Sequence, residues 1–412
     1  MVQKIIFIIA ICVASANSKT YDLKQLLDHI SSEGIDVKIA KESATIAEAQ
    51  KDESKSTIYP SLRLESSFVK VDQRASFGTG RADRTIENVR FVAQQRLFRG
   101  LGEFHELDRL EHLKNMQNRR LDAAKREVHR VIIDMCSEVW WQQARLKRQL
   151  ELVSLSKDRE SVLKQRVNIG RSRPSELLNA QSQKSSSEAQ LFQIKQSLEG
   201  ALINLKNVTL IDDIAEVTLP EVATTATSTP LNLSELGEHP SMLAADDEIH
   251  AWEKQIKVNN AYHWPQIDLR ANAFAKRADV SFEGSDWDLG VFITWPLFEG
   301  QIVSARNRQV YAQKNQAVLQ KERQKRQLLQ ISDTQSAAYQ NATKSLVEAK
   351  KSADLQKTSY DYIKREYIQG LANQLEVNQS MNLYIQGLLL VDESQIQVVR
   401  SYYQSLAIKG TL

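Results

Sequence analysis

The sequence predicts a mainly α chain of long coiled-coil helices interrupted by two pairs of β-strands. Three observations carry this. Only 14 glycines and 7 prolines punctuate 412 residues, and 42% of residues are hydrophobic against 25% charged, which favours long helices over a many-stranded sandwich. Two segments behind a proline, "YPSLRLESSFVK" and "WPQIDLRANAFAK", alternate apolar and polar residues amid helical sequence. Finally, the chain is written twice. Pro60 and Pro265 lie 205 residues apart, Gly100 and Gly300 lie 200 apart, and so do Gly170 and Gly370. That period is far longer than a solenoid repeat.

The N-terminus reads as a secretory leader over residues 1–16. Lys4 precedes a short apolar run, Ile5 to Val13, and Ala14-Ser15-Ala16 supplies small residues for cleavage. About nine apolar residues cannot span a bilayer that needs about 20. Cys12 follows Ile11 rather than a small residue, which speaks against lipid attachment, and Cys136 is left as a lone cysteine, expected as a small buried apolar residue. No later run approaches 18 apolar residues, so entry into a membrane would have to be as strands in a closed barrel.

Each half has the same expected order. A lead-in helix reaches about Thr57 and, in the second half, about Tyr262. Strand pairs follow at Ser61–Val71 with Asn88–Leu97, and at Gln266–Val280 with Asp286–Leu297. Long helices run over Leu101–Asn168 and Gln301–Ile368, roughly 100 Å each at ~1.5 Å per residue. After a break at Gly170 or Gly370, return helices cover Pro174–Lys206 and Asn373–Ala407. Steps of three, four and seven link Val128, Val131, Met135, Val139, Leu146, Leu150 and Val153, and likewise Ala342, Leu346, Ala349, Ala353, Tyr360 and Tyr367. These are seams for neighbouring helices. The expected domains are a first repeat, 17–218, a Thr-rich linker, 219–238, and a second repeat, 239–412.

The alternation sorts the strand residues by face. Leu62, Leu64 and Phe68 oppose Arg63, Glu65 and Ser67; Ile267 and Leu269 oppose Asp268 and Arg270; Trp287, Leu289, Val291, Ile293 and Trp295 oppose Asp288, Gly290 and Thr294. Strands of about 10 residues cross a bilayer when tilted. Alternation also fits a soluble domain with one buried face. The leader, the separation of the pairs by long helices and the lack of other apolar material to cover them favour lipid. Four strands fall short of the roughly eight a barrel needs, so several chains would share one.

Other chemistry is sparse. "GTG" at Gly78–Gly80 is a lone turn, and neither HExxH nor GxSxG occurs, so no enzyme and no cofactor are expected. His105, His112 and His129 share one helix but no two stand one turn apart, and no metal site is expected there. The net charge of +3 with mixed signs gives no sign of a basic nucleic-acid surface, and no nucleic-acid partner is expected.

The ordered set "AEAQKDESKSTIYPSLRLESSF", "VNIGRSRPSELLNAQ", "WPLFEGQIVSARNRQ" and "YIQGLANQLEVNQ" resembles the TolC-like outer membrane factor family over about Thr20 to Lys409. The resemblance implies an outer membrane channel reaching into the periplasm, the exit duct of a tripartite efflux pump or type I secretion system. It implies a homotrimer whose chains give four strands each to a shared barrel of about twelve. It also implies that the tips at Ile169, Gly170, Arg171 and at Gln369, Gly370, Leu371 meet an inner-membrane-anchored periplasmic adaptor that serves an inner-membrane transporter. The sequence assigns no acidic tunnel gate: the second tip carries no carboxylate from Gln369 to Leu375 and the first carries Arg171 and Arg173. The alternative is a periplasmic coiled-coil adaptor or scaffold of an export system; an adaptor would show one hairpin flanked by β-rich domains, not two at a 200-residue offset.

Overall fold

The structure is a computed structural model that describes residues 19–74, 81–222, 228–276 and 287–412. The leader, the Gly78–Gly80 turn, the middle of the Thr-rich tract and strand residues 277–280 and Asp286 lie outside the described residues.

The elements run in pairs. Helices α1 (Leu23–Glu33) and α2 (Ile35–Ser56) precede strands β2 (Ser61–Arg74) and β3 (Arg81–Arg99); a short strand β1 (Lys19–Asp22) comes before them. Then come α3 (Gly102–Asn168), α4 (Pro174–Thr209) and strand β4 (Ile214–Thr218). The second series is α5 (Leu233–Gly237), α6 (Pro240–Ala261), β5 (Gln266–Lys276), β6 (Trp287–Thr294), α7 (Ile302–Gln369) and α8 (Gln374–Lys409). The correspondence extends to length: α3 has 67 residues and α7 68, while α4 and α8 have 36 each.

Several boundaries differ from expectation. The lead-in is two helices, not one, because Gly34 is extended and closes α1 by donating its N–H to Ile30 O at 3.0 Å. The first strand pair is longer than predicted. Strand β6 ends at Thr294, so Trp295 is not a strand residue; Pro296 follows, lacks an N–H and disfavours ladder geometry. The Trp295 indole instead donates to His263 O at 3.2 Å. The tract after Pro230 contains α5, where only linker was expected.

A turn repeated at both strand-to-helix junctions is set by backbone sterics. Gly100 and Leu101 have φ of 62° and 63°, Gly300 and Gln301 of 60° and 64°. The environments differ. A Cβ on Gly100 would lie 2.6 Å from Ala261 O and 2.7 Å from Trp264 Cβ, whereas one on Gly300 meets nothing within 4 Å. Gly300→Ala should therefore cost only the left-handed penalty of about 1–2 kcal/mol, and Gly100→Ala more, because the backbone must also shift. Thermal unfolding of the two variants side by side measures this, and equal destabilisation would contradict it.

The chain forms two compact units, and each takes segments from both series. One comprises Met1–Lys38, Ala124–Glu235 and Leu328–Leu412; the other Ile39–Ala123 and Leu236–Gln327. In the first, β1 and β4 pair in parallel, with Tyr21 opposite Val217. Lys19 and the Tyr21 hydroxyl both reach the Asp213 carboxylate, at 3.0 and 2.6 Å. Its buried side chains include Leu26, Ile30, Ile132, Ile133, Cys136, Val139 and Leu205. Burial pushes the Cys136 thiol up to about 12, as suits a packing residue. The expected α7 seam is buried at Ala342, Ala349, Ala353, Tyr360 and Tyr367. The α3 seam holds only in part: Val128, Val139 and Val153 are buried, but Val131 and Leu150 are exposed, and Ile132, Ile133 and Cys136 are buried in place of the Val131–Met135 stripe. That stretch, "HRVIIDMCSEVWW", carries two apolar stripes, and packing partners select between them.

Candidate functional site

Two regions carry functional geometry, a sheet in one unit and a pair of helical turns in the other. The sheet is antiparallel throughout, in the order β2-β3-β5-β6. The β3–β5 pairing joins the two strand pairs, aligning Phe91 with Ala273 and Ala93 with Ala271. Rows therefore cross the sheet: Leu64, Phe91, Ala273 and Trp287 form one, and Leu62, Ala93, Ala271 and Leu289 the next. Further along, Leu269 pairs with Val291 and Ile267 with Ile293. Because side chains alternate along a strand, these rows, with Phe68, share one face. That face is open: Leu62 is 72% exposed, Phe68 70% and Ile293 68%.

The opposite face is polar and internally paired. Arg90 meets Glu65 at 2.8 Å, Arg99 meets Asp268 at 3.1 Å, and Asn272 donates to Asp288 at 2.7 Å. Phe274 and Phe292 are apolar exceptions on this face, and the Arg270 guanidinium lies 4.8 Å from the Phe292 ring centre. The cation lies over the ring's negative face, so an aromatic is accommodated among charges. The outermost strands, β2 and β6, each have one neighbour among the described residues.

The two helical turns use one device to stop and two to restart. At Gly170 (φ 70°) the Gly170 N–H donates to Val167 O at 3.0 Å and Arg171 N–H to Arg166 O at 2.8 Å. At Gly370 (φ 83°) the same pair runs to Tyr367 O and Glu366 O, at 3.2 and 2.9 Å. Both are Schellman closures, which need a left-handed residue. Helix α4 then restarts with Pro174 in its first turn, whereas α8 restarts with a capping box. There Glu376 N–H donates to Asn373 Oδ1 at 3.0 Å and Asn373 N–H to Glu376 Oε2 at 2.8 Å. Glu376 thus caps α8. All six predicted tip residues, Ile169, Gly170, Arg171, Gln369, Gly370 and Leu371, are exposed, and nothing lies within 4 Å of a Cβ placed on either glycine.

Behind the turns, the helices of both hairpins bury Leu152, Leu163, Ala180, Tyr360, Tyr367, Val377, Met381 and Ile385 in one cluster. Arg159 and Arg166 of α3 lie over the Tyr367 ring at 5.0 and 4.7 Å. Arg159 also donates to Gln374 Oε1, and Arg166 to Ile368 O at 3.3 Å. Burial pulls the Arg159 guanidinium below its usual range. Sequence reading missed this tie between the hairpins, since Arg159 and Tyr367 are distant in the chain; the one local hint is that Arg159 and Arg166 are a heptad apart.

A mostly helical chain whose four-stranded sheet is apolar and open on one side, ion-paired on the other and, among the described residues, unpaired at its edges has the fold of outer membrane channels. Comparison with known proteins agrees. Residues 233–387 match the family described as Outer membrane efflux protein. Among solved structures, the outer-membrane channel OprN is 18% identical, with a TM-score of 0.80 over 94% of this chain and 89% of that one. The Campylobacter jejuni CmeC outer membrane channel is 13% identical, with a TM-score of 0.83 over 94% and 85%. The outer membrane protein VceC of Vibrio cholerae is 15% identical, with a TM-score of 0.80 over 94% and 96%. No curated protein matches the chain in sequence. The resemblance to outer membrane factors read from the sequence is borne out, and the matches support a location in the outer membrane extending into the periplasm. No described helix is long and apolar enough to cross a membrane.

Proposed function

We propose that the chain is one subunit of a passive exit duct, a homotrimer whose chains close a common barrel of about twelve strands. The carrying observation is the sheet. Its open apolar face fits lipid and its paired polar face fits a watered lumen. Strands β2 and β6 run antiparallel to each other across the sheet, so β6 of one subunit can pair with β2 of the next without breaking the pattern. Repeated around a ring, that head-to-tail join satisfies every edge, which lipid demands. The mass of the detergent-solubilised outer-membrane protein tests this. A trimer that forms water-filled pores in planar bilayers is expected; a detergent-free periplasmic monomer would sink the reading.

The duct would serve a tripartite efflux pump or a type I secretion system, with energy supplied by an inner-membrane transporter through a periplasmic adaptor. The tips suit such docking. Each offers an exposed apolar residue beside an unhindered glycine, Ile169 before Gly170 and Leu371 after Gly370. Ile169→Asp combined with Leu371→Asp should leave trimer in the outer membrane but abolish export in a complemented duct-deficient strain. Undiminished export would remove these residues from the docking surface.

A further inference from the structure

One side-chain cluster stands apart from the sheet and the tips. His112 of α3 meets Asp247 and His250 of α6, and one potential ligand atom from each lies within 4.8 Å of the others. We propose that His112, Asp247 and His250 form a binding site for a divalent late first-row transition-metal cation, zinc being the probe, which clamps α3 to α6.

The geometry favours such an ion. Asp247 and His250 are three apart on one helix and so share a face, the spacing by which carboxylate-x-x-His pairs present two ligands. His112 Nδ1 lies 3.3 Å from Asp247 Oδ1. With metal–nitrogen and metal–oxygen bonds of about 2.0–2.2 Å, neighbouring donors of a tetrahedral ion stand about 3.3–3.5 Å apart. Those two atoms already span such an edge. The His250 ring centre is 5.2 Å from that of His112, and His250 is exposed and can turn in. The fourth position is left to water. Two imidazoles and one carboxylate suit zinc, copper or nickel rather than magnesium or calcium.

The surroundings orient the ligands. Arg119 donates to the other Asp247 oxygen at 3.3 Å, which directs Oδ1 toward His112. Its charge opposes a cation, as does that of Lys254, which pairs with Asp108 at 2.6 Å. Asp108 and Asp247 offset the two. Without metal, His112 Nδ1–H donates to Asp247. On binding, Nδ1 gives its lone pair to the ion, and the proton is released or carried on Nε2.

Zinc titration of tag-free, detergent-solubilised full-length protein tests the site. One zinc per chain is expected. His250→Ala should weaken binding by more than about ten-fold, the loss that removal of even an outer partner of a ligand causes. His112→Ala with His250→Ala should remove the site, along with the visible d–d absorption of bound Co2+. His263→Ala, which alters an exposed histidine outside the cluster, should change neither. Because His250 is exposed, its variant keeps the fold and remains informative if the double variant does not assemble. Absence of saturable zinc binding, or binding unaffected by His250→Ala, would overturn the proposal.

Discussion

Val291→Arg is expected to abolish assembly in the outer membrane. Val291 lies in β6 opposite Leu269, on the open apolar face between Leu289 and Ile293. If that face meets hydrocarbon, an arginine near the bilayer midplane costs about 2–4 kcal/mol, and symmetry repeats the cost in every subunit. Asn272→Arg is the control. Asn272 lies on the other face and already donates to Asp288 at 2.7 Å, so an arginine there keeps both water and a partner. Trimer recovered from outer-membrane fractions, followed by heat-modifiable migration, should vanish for Val291→Arg and persist for Asn272→Arg. Equal recovery would mean that the alternation serves a water-soluble sheet.

The second large effect concerns the ring beneath two arginines. Tyr367→Ala should destabilise the tip cluster by roughly 3–5 kcal/mol, the range for truncating a buried aromatic. It removes packing against a core that includes Val377 and Met381, and it strips Arg159 of its cation–π partner within a buried setting. Tyr367→Phe should behave quite differently. The Tyr367 hydroxyl is buried without a hydrogen-bond partner among the described residues, so its removal should leave stability unchanged or raise it. Hydrogen exchange over residues 152–167 and 360–385, together with thermal unfolding, separates the two variants. A phenylalanine as damaging as alanine would show that the hydroxyl, not the ring, ties the hairpins.

The breaks were the most legible feature. Gly170 and Gly370 both stop a helix in the left-handed conformation, and each is read from a glycine ending a long periodic run. The faces of the strands were equally plain, because a period of two places Leu62 and Leu64 together whatever the partner strand. Boundaries set by one residue's chemistry were harder: Pro296 ends β6 early and leaves Trp295 outside the strand. The α3 seam was legible at Val128 and Val139 but not between them, because two apolar stripes compete there and local periodicity does not rank them.

By itself, then, the sequence determined the long helices and the two strand pairs, where each helical hairpin turns, and which side of each strand is apolar. These follow from backbone sterics and from side-chain period, both local over a few residues. Only the tertiary structure decided that β3 joins β5, that β1 finds β4, that Arg159 lies over Tyr367, and that His112 meets Asp247 and His250. Those partners lie from 135 residues apart, His112 to Asp247, to 208, Arg159 to Tyr367. Their pairing rests on desolvation and contact made only once the helices pack, and no short window of sequence records it.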